Sequence, residues 1–329
     1  MIAGMATHPE HVEATAGLPG DDEVLHALLR RHDTGSRPGA RDDGHRIALV
    51  VNGGGMRGAY AGGMAHALED AGLTEAIDVI YGSSAGAYVG GALLLGHGRG
   101  AAEIFYEDMA CRAVIVPRRL GRRRPMVSLD HLVDHILTIS KPMPWPGLID
   151  SPIPLRMIAT AADDLRPQVL HPRTVSEWKL ALRATAAIPM LAGPPVELHG
   201  RRWIDGSVTE PLPVPRALRD GATHVLALLT RTVPELRRAA PGPAHWARVL
   251  DRLTPGLGAI TQDVRRHAPV VAVLDDAAHP SRGGAHLLAI TPTQNLGVRG
   301  LTVDAALIKR ATTVGYAAMT AAVDRARRA

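Results

Sequence analysis

At 329 residues the chain has room for one large α/β domain or two small ones, and 46% hydrophobic against 21% charged residues excludes a disordered or fibrous chain. A single cysteine, Cys111, excludes an internal disulfide and argues against a cysteine-based metal site, in keeping with a reducing compartment. The formal charge of +5 rests almost wholly on arginine, since Lys141, Lys179 and Lys309 are the only lysines; it follows the Ala, Gly, Pro and Arg bias of the whole chain, and no nucleic-acid partner is expected.

Residues 1–45 hold Gly/Pro/Asp-rich pieces on either side of Asp22 to Arg31, where Val24, Leu25, Leu28 and Leu29 share one helical face. The expectation is an N-terminal extension, a short docking helix between mobile segments, ahead of a domain over 46–329. Met1 to Gly20 has His, Glu and Asp where a secretory signal needs a basic start and an apolar core. No apolar run approaches the roughly 20 residues of a membrane span. The expected location is cytoplasmic, with any membrane contact peripheral.

Ile47 to Gly96 carries the chemistry. An apolar run, Ile47 to Val51, reads as a strand; Gly53-Gly54-Gly55-Met56-Arg57-Gly58 follows, then an Ala-rich helix to Ala71. A second strand, Ile77 to Tyr81, delivers Gly82-Ser83-Ser84-Ala85-Gly86, after which Ala87 to Leu95 reads as a buried helix stopped by Gly96. In G-x-S-x-G the serine sits on a sharp strand-to-helix turn, where Gly82 and Gly86 let the backbone turn and a substrate approach the Ser84 hydroxyl. A glycine run at a helix N-terminus exposes backbone N–H groups on the positive end of the helix dipole. Gly54, Gly55 and Met56 are the expected donors to the oxyanion formed when the serine attacks a carbonyl.

Further along, Ala101 to Cys111 reads as a helix. Arg118, Arg119, Arg122, Arg123 and Arg124 follow in a loop closed by Pro125, read either as solvated or as a contact for an anionic membrane. Lys141 to Pro154 is too proline-rich for helix or central strand and reads as a packed irregular connection or an apolar rim. Met157 to Ala162 reads as a strand and Ser176 to Ala187 as a helix with Ser176 as N-cap. Val196 to Leu198 and Arg202 to Ile204 flank His199-Gly200 and suggest a hairpin that delivers Asp205 at a strand end. A helix over Val214 to Arg219 and a strand from His224 to Leu229 follow. Ala244 to Leu253 and Thr261 to His267 suggest helices, His286 to Ile290 a strand, and Val303 to Arg327 a long amphipathic helix. The alternation of strand and helix predicts one α/β domain with a largely parallel central sheet covered on both faces.

The pairing of G-G-G-M-R-G with G-S-S-A-G, followed by Asp205-Gly206 in W-I-D-G-S, resembles the patatin-like phospholipase family over about 47–230, with 231–329 completing the domain. The A-T-A-A-I-P segment, Ala184 to Pro189, falls in the family's order. The resemblance implies a lipid acyl-ester hydrolase in which Ser84 is the nucleophile, Asp205 its partner without a histidine, and Gly53 to Gly58 the oxyanion loop. Arg57 is expected to brace that loop. Asn52 stands where family members often carry an acid, and Ser207 where Ala or Gly is usual; neither replaces a reacting atom.

Other chemistries compete for the same motifs. Gly53-x-Gly55-x-x-Gly58 also matches a dinucleotide fingerprint, but the acid that fingerprint needs near the end of the second strand is missing, since Asp78 stands at its start. A Ser-His-Asp hydrolase would need His224, His245, His267, His279 or His286 after Asp205, and none stands in a recognisable local context. A catalytically silent lipid-binding or regulatory protein would keep the fold without the reaction. Asp163-Asp164 and Asp275-Asp276 read as solvated turns, and no metal or other cofactor is expected.

Overall fold

The computed structural model describes residues 21–116, 125–238, 244–253, 255–262 and 284–329. The arginine run from Arg118 to Arg124, together with His267, Asp275, Asp276 and His279, lies outside them. The described strands form an eight-stranded sheet: β1 (Ile47–Val51), β2 (Val79–Gly82), β3 (Leu155–Ala161), β4 (Pro167–Leu170), β5 (Val196–Leu198), β6 (Arg201–Asp205), β7 (His224–Leu228) and β8 (His286–Ile290). Their order is β5-β6-β3-β2-β1-β7-β8, with β4 paired to β3 off this path. From β3 through β2, β1 and β7 to β8 all neighbours are parallel, while β4, β5 and β6 add an antiparallel flank.

The central strand explains why the sheet is buried on both faces. All five residues of β1 are buried, as expected for a parallel strand written in continuous apolar residues. Side chains alternate across the sheet. Ile47, Leu49 and Val51 join a core with Met64, Leu68, Ile308 and Met319, whereas Ala48 and Val50 meet Val214 and Ala217 on the other face.

The described helices are α1 (Glu23–Asp33), α2 (Gly58–Asp70), α3 (Ala85–Leu94), α4 (Gly98–Glu107), α5 (Pro146–Asp150), α6 (Val175–Ala186), α7 (Val214–Arg219), α8 (Val233–Arg237), α9 (Ala244–Leu253), α10 (Leu257–Gln262) and α11 (Ala305–Arg328), with a π-type helix over His131–Ser140. None of them is long and apolar enough to cross a membrane. α2 and α11 pack backbone to backbone: a Cβ on Gly63 would lie 2.0 Å from the Thr312 carbonyl oxygen. The C-terminal helix thus shares the core of the helix that follows the glycine loop.

Arg31 ties α1 to the sheet. Its guanidinium, 2% exposed, donates to Asp43, to Asp78 Oδ2 (2.8 Å) and to the Ala76 and His45 carbonyls. Arg41 adds a bond to Asp78 Oδ1 at 2.9 Å.

Two local expectations change, and one helix is unforeseen. α6 is capped by Thr174, whose Oγ1 accepts from the Glu177 N–H, so it begins earlier than a Ser176 cap allows. The proline-rich connection contains α5, because Pro146 stands in the first turn, where a missing N–H costs nothing. Met143, Trp145, Leu148 and Ile153 within it are buried, which makes it a packed connection. The π-type helix before it carries no sequence signal beyond apolar spacing, and Trp145 Nε1 donates to its Leu137 carbonyl.

Candidate active site

Strand pairing brings Ser84 and Asp205 together. Gly82, the last residue of β2, stands opposite Met157, and Asp205, the last residue of β6, stands opposite Ala159. Met157 and Ala159 also pair with Leu170 and Gln168 of β4, which therefore occupies the other edge of β3. β2 and β6 must then lie end to end along one edge. β2 runs parallel to β3 and β6 antiparallel, so their C-terminal ends converge with two residues of β3, about 7 Å, between them. The hairpin that aims β6 turns at His199 and Gly200, both at positive φ (53° and 72°), the geometry of a tight two-residue turn.

Ser84 occupies the strained turn the G-x-S-x-G spacing predicts. Its φ of 54° and ψ of −130° carry a cost on the order of 1–3 kcal/mol for a side-chain-bearing residue. The surroundings hold it there: the Ser84 N–H donates to both the carbonyl and Oγ1 of Thr185 at 3.0 Å, and the Ala87 N–H to the Ser84 carbonyl at 3.0 Å. Gly86 has no alternative, since a Cβ there would sit 2.2 Å from the Val51 carbonyl oxygen. Ser84 lines a cavity, whereas the neighbouring Ser83 is fully buried and does not.

Asp205 is fully buried. Its N–H donates to the Ala187 carbonyl (3.1 Å) and its carbonyl accepts from Thr160 Oγ1 (3.0 Å), which fixes the backbone. Oδ1 accepts from the Ser207 N–H at 2.7 Å, and Oδ2 has no hydrogen-bond partner among the described residues. Burial pushes the carboxyl up to about 6, against the opposing pull of the Ser207 hydroxyl, the Ser207 N–H and the Ser84 side chain. Gly206 is packed against the Ile158 carbonyl, 2.2 Å from where its Cβ would be.

The glycine loop offers fewer donors than its sequence suggests. The N–H groups of Gly53, Gly54 and Gly55 make no hydrogen bond among the described residues. Met56, the expected third donor, instead gives its N–H to the Gly300 carbonyl at 3.1 Å. Arg57 N–H goes to the Gly54 carbonyl (3.3 Å) and Gly58 N–H to the carbonyls of Gly55 and Met56. Among the loop amides, those of Met56, Arg57 and Gly58 are thus committed to carbonyls within the protein. Gly58 serves packing, for a Cβ there would meet Phe105 at 2.7 Å. The chain leaves β1 through Asn52, whose Nδ2 donates to the Pro211 carbonyl (2.7 Å) and whose Oδ1 accepts from Thr230 Oγ1 (2.8 Å). An aspartate could not make the first of these bonds.

Arg57 packs its side chain beside Gly54, and its Nε is buried without a partner. Burial, and then the nearby charge of Arg231, lower it to about 10. Two cavities flank the loop. One of about 310 Å³ is lined by Gly53, Gly54, Arg57, Ser207 and Arg231; one of about 70 Å³ is lined by Gly55, Ser84, Tyr88, Phe105, Leu182 and other apolar side chains.

Of the histidines available to a triad, the two with described side chains, His224 and His286, stand elsewhere. His224 pairs with Ile47 and His286, at the starts of β1 and β8, so both lie at the N-terminal end of the parallel strands, opposite the end that carries Ser84. His45, His224 and His286 stack there, with ring centroids 4.4 and 4.7 Å apart. Nothing is described of the His245 side chain. His131 and His135, one helical turn apart, stack at 4.8 Å, but no group of three or more potential ligands is placed to hold a metal among the described residues. Asp163 and Asp164 are exposed and pair with Arg201.

Thr185, Ser207, Arg231 and Gly300 are the site residues sequence reading passed over as participants. Thr185 lies in the A-T-A-A-I-P segment and Ser207 directly after the Asp-Gly pair, so proximity to a motif was the available signal. Arg231 and Gly300 carried none.

A family model described as patatin-like phospholipase matches residues 49–218, just over half of the chain. The uncharacterized protein YjjU of Escherichia coli (strain K12) is 30% identical over 212 residues, which cover 63% of this chain and 57% of that protein. The chain thus spans less than two thirds of that relative's length. VipD from Legionella pneumophila aligns over 85% of this chain and 67% of its own, at 14% identity and a TM-score of 0.46. The type III effector protein ExoU aligns over 86% and 53%, at 15% identity and a TM-score of 0.28.

Proposed function

Because the chain belongs to the patatin-like phospholipase family, a family of lipid hydrolases, we propose that it is a carboxylic-ester hydrolase of lipids working through Ser84 and Asp205, with no histidine. Ser84 Oγ attacks the acyl carbonyl carbon and its proton passes to Asp205 Oδ2. The uncommitted amides of the glycine loop take the oxyanion, which collapses to acyl-serine as the alcohol leaves with the proton from Asp205. Water then attacks the acyl-serine with Asp205 as base, and the second oxyanion returns Ser84 with release of the acid.

The observation that carries this reading is the buried, unpartnered Oδ2 of Asp205 at the convergence of β2 and β6, where Ser84 is held in a strained turn. An ordinary aspartate is too weak a base for a hydroxyl; one pushed up to about 6 by burial is better matched. The contact between the two side chains is looser than a standard hydrogen bond and would tighten with substrate bound. The small apolar cavity beside Ser84 receives the acyl chain.

The test is a screen of p-nitrophenyl esters of graded chain length, then lysophospholipids and phospholipids, with Ser84→Ala alongside and an organophosphonate label. Hydrolysis that Ser84→Ala abolishes, with labelling at Ser84 alone, supports the reading. Full activity in the variant, or labelling at Ser83, overturns it.

A further inference from the structure

We propose that the larger cavity beside the glycine loop is an anion subsite, in which Arg231 and Arg57 bind a phosphate group carried on the alcohol side of the ester. The placement on the alcohol side rests on the reading of Ser84 as nucleophile; the existence of the subsite does not.

Two guanidinium groups line one cavity, and neither has a hydrogen-bond or ion-pair partner among the described residues. By contrast, the guanidinium groups of Arg31, Arg183, Arg201 and Arg216 each reach a carboxylate. Arg57 Nε is buried as well as unpartnered, a desolvated donor that costs free energy until something accepts from it. Arg231 adds like-charge repulsion to that burial, and the two together lower the Arg57 guanidinium to about 10. The acid acting on Arg57, Glu235, does not form an ion pair with it. Its Oε2 accepts from the N–H and Oγ1 of Thr232, both at 2.9 Å, as the capping box of α8.

An anion in the cavity would relieve both penalties at once. Two adjacent guanidinium forks match a group with up to two negative charges and several acceptor oxygens, which describes phosphate better than a carboxylate. The uncommitted amides of Gly53 and Gly54 line the same space. Among the described residues, the second cavity, beside Ser84, is lined by no charged side chain and suits the acyl chain, which leaves the arginine side for the head of the alcohol. Arg231 lies beyond residues 49–218 matched by the family model.

Calorimetric titration of Ser84→Ala protein with glycerol 3-phosphate and with inorganic phosphate, against glycerol as the uncharged control, tests the site without hydrolysis. Saturable binding of one or both phosphates, with none of glycerol, is expected. Arg231→Gln on that background should weaken it about tenfold or more, and Arg231→Lys less. Tighter binding of glycerol 3-phosphate assigns the site to a head group, and equal binding assigns it to free phosphate. No binding of either phosphate, or binding that Arg231→Gln leaves unchanged in a protein with an unaltered melting temperature, overturns the inference. With Ser84 intact, the ratio of kcat/KM for a lysophosphatidic acid over the matching monoacylglycerol should fall about tenfold or more in Arg231→Gln, and an unchanged ratio counts against it. A protein that binds phosphate through Arg231 yet cleaves no ester would retire the hydrolase reading and keep the subsite.

Discussion

Ser84 and Asp205 are held by the same short piece of chain: the Thr185 carbonyl accepts from the Ser84 N–H at 3.0 Å, and the Ala187 carbonyl accepts from the Asp205 N–H at 3.1 Å. The end of α6 therefore registers the tips of β2 and β6 against each other. A hydrolytic role for this pair makes the α6 terminus a positioning element, although it touches no substrate.

Thr185→Val tests that relationship. It keeps the side-chain shape but removes Oγ1, which accepts from the Ser84 N–H and donates to the Ile158 carbonyl. The expected outcome is a kcat lowered by about 10-fold to 100-fold with KM little changed, because misplacing a reacting group by a fraction of an ångström acts on the chemical step. Thr185→Ser, which restores the hydroxyl, should recover most of the loss. Steady-state kinetics on a soluble ester reads both.

Asp205→Asn should abolish turnover and at the same time stabilise the protein. A carboxyl raised to about 6 by burial keeps its proton in the folded state where the unfolded chain has lost it, so its contribution to stability falls as pH rises from about 4 to about 6 and stays low above. At neutral pH the ionised group costs up to roughly 3 kcal/mol, from about 1.4 kcal/mol per unit. Urea unfolding at pH 7.5 should show the variant more stable than the parent, with the difference shrinking toward pH 4. A variant less stable than the parent at pH 7.5 counts against a carboxylate buried as ionised.

The same carboxyl sets the acid limb of activity. If Asp205 takes the Ser84 proton it must be ionised, so kcat/KM should rise with pH through an apparent value of about 6 and level off above it. The measurement is a pH profile on a neutral ester. A limb that moves in His224→Leu would bring a histidine into the mechanism.

His224 governs acid stability at the N-terminal end of the parallel strands. Burial first, and then the neighbouring His45 and His286, lower it to about 4, so the folded state keeps it neutral where the unfolded chain takes up a proton. Its contribution is fully present above about 6.5 and is lost as pH falls toward 4. Melting temperatures from pH 7.5 to 4.5 should therefore drop more steeply in the parent than in His224→Leu, with hydrolysis at pH 7.5 within a few-fold of the parent. Parallel curves would mean that the histidine stack does not govern acid sensitivity.

Much of this site is written locally. The glycine loop and the serine turn need conformations or close approaches that favour glycine, as at Gly55 with its φ of 58° and Gly86 against Val51, so their residues announce them. His199-Gly200 marks the hairpin for the same reason. Boundaries were less legible where two signals compete, as at Thr174 and Ser176, both able to cap α6.

The sequence by itself determined the order of strand, glycine loop, helix, strand and serine turn, and which side chains carry reactive atoms, because backbone sterics and side-chain chemistry act over a few residues. Only the tertiary structure decided that β2 and β6 share an edge of β3, that Gly300 takes the Met56 amide, that Asp205 is sealed from water and that Arg231 and Arg57 line one cavity. Each of these depends on desolvation or on pairing between residues far apart in the chain, and neither leaves a periodic or local trace in the order of amino acids.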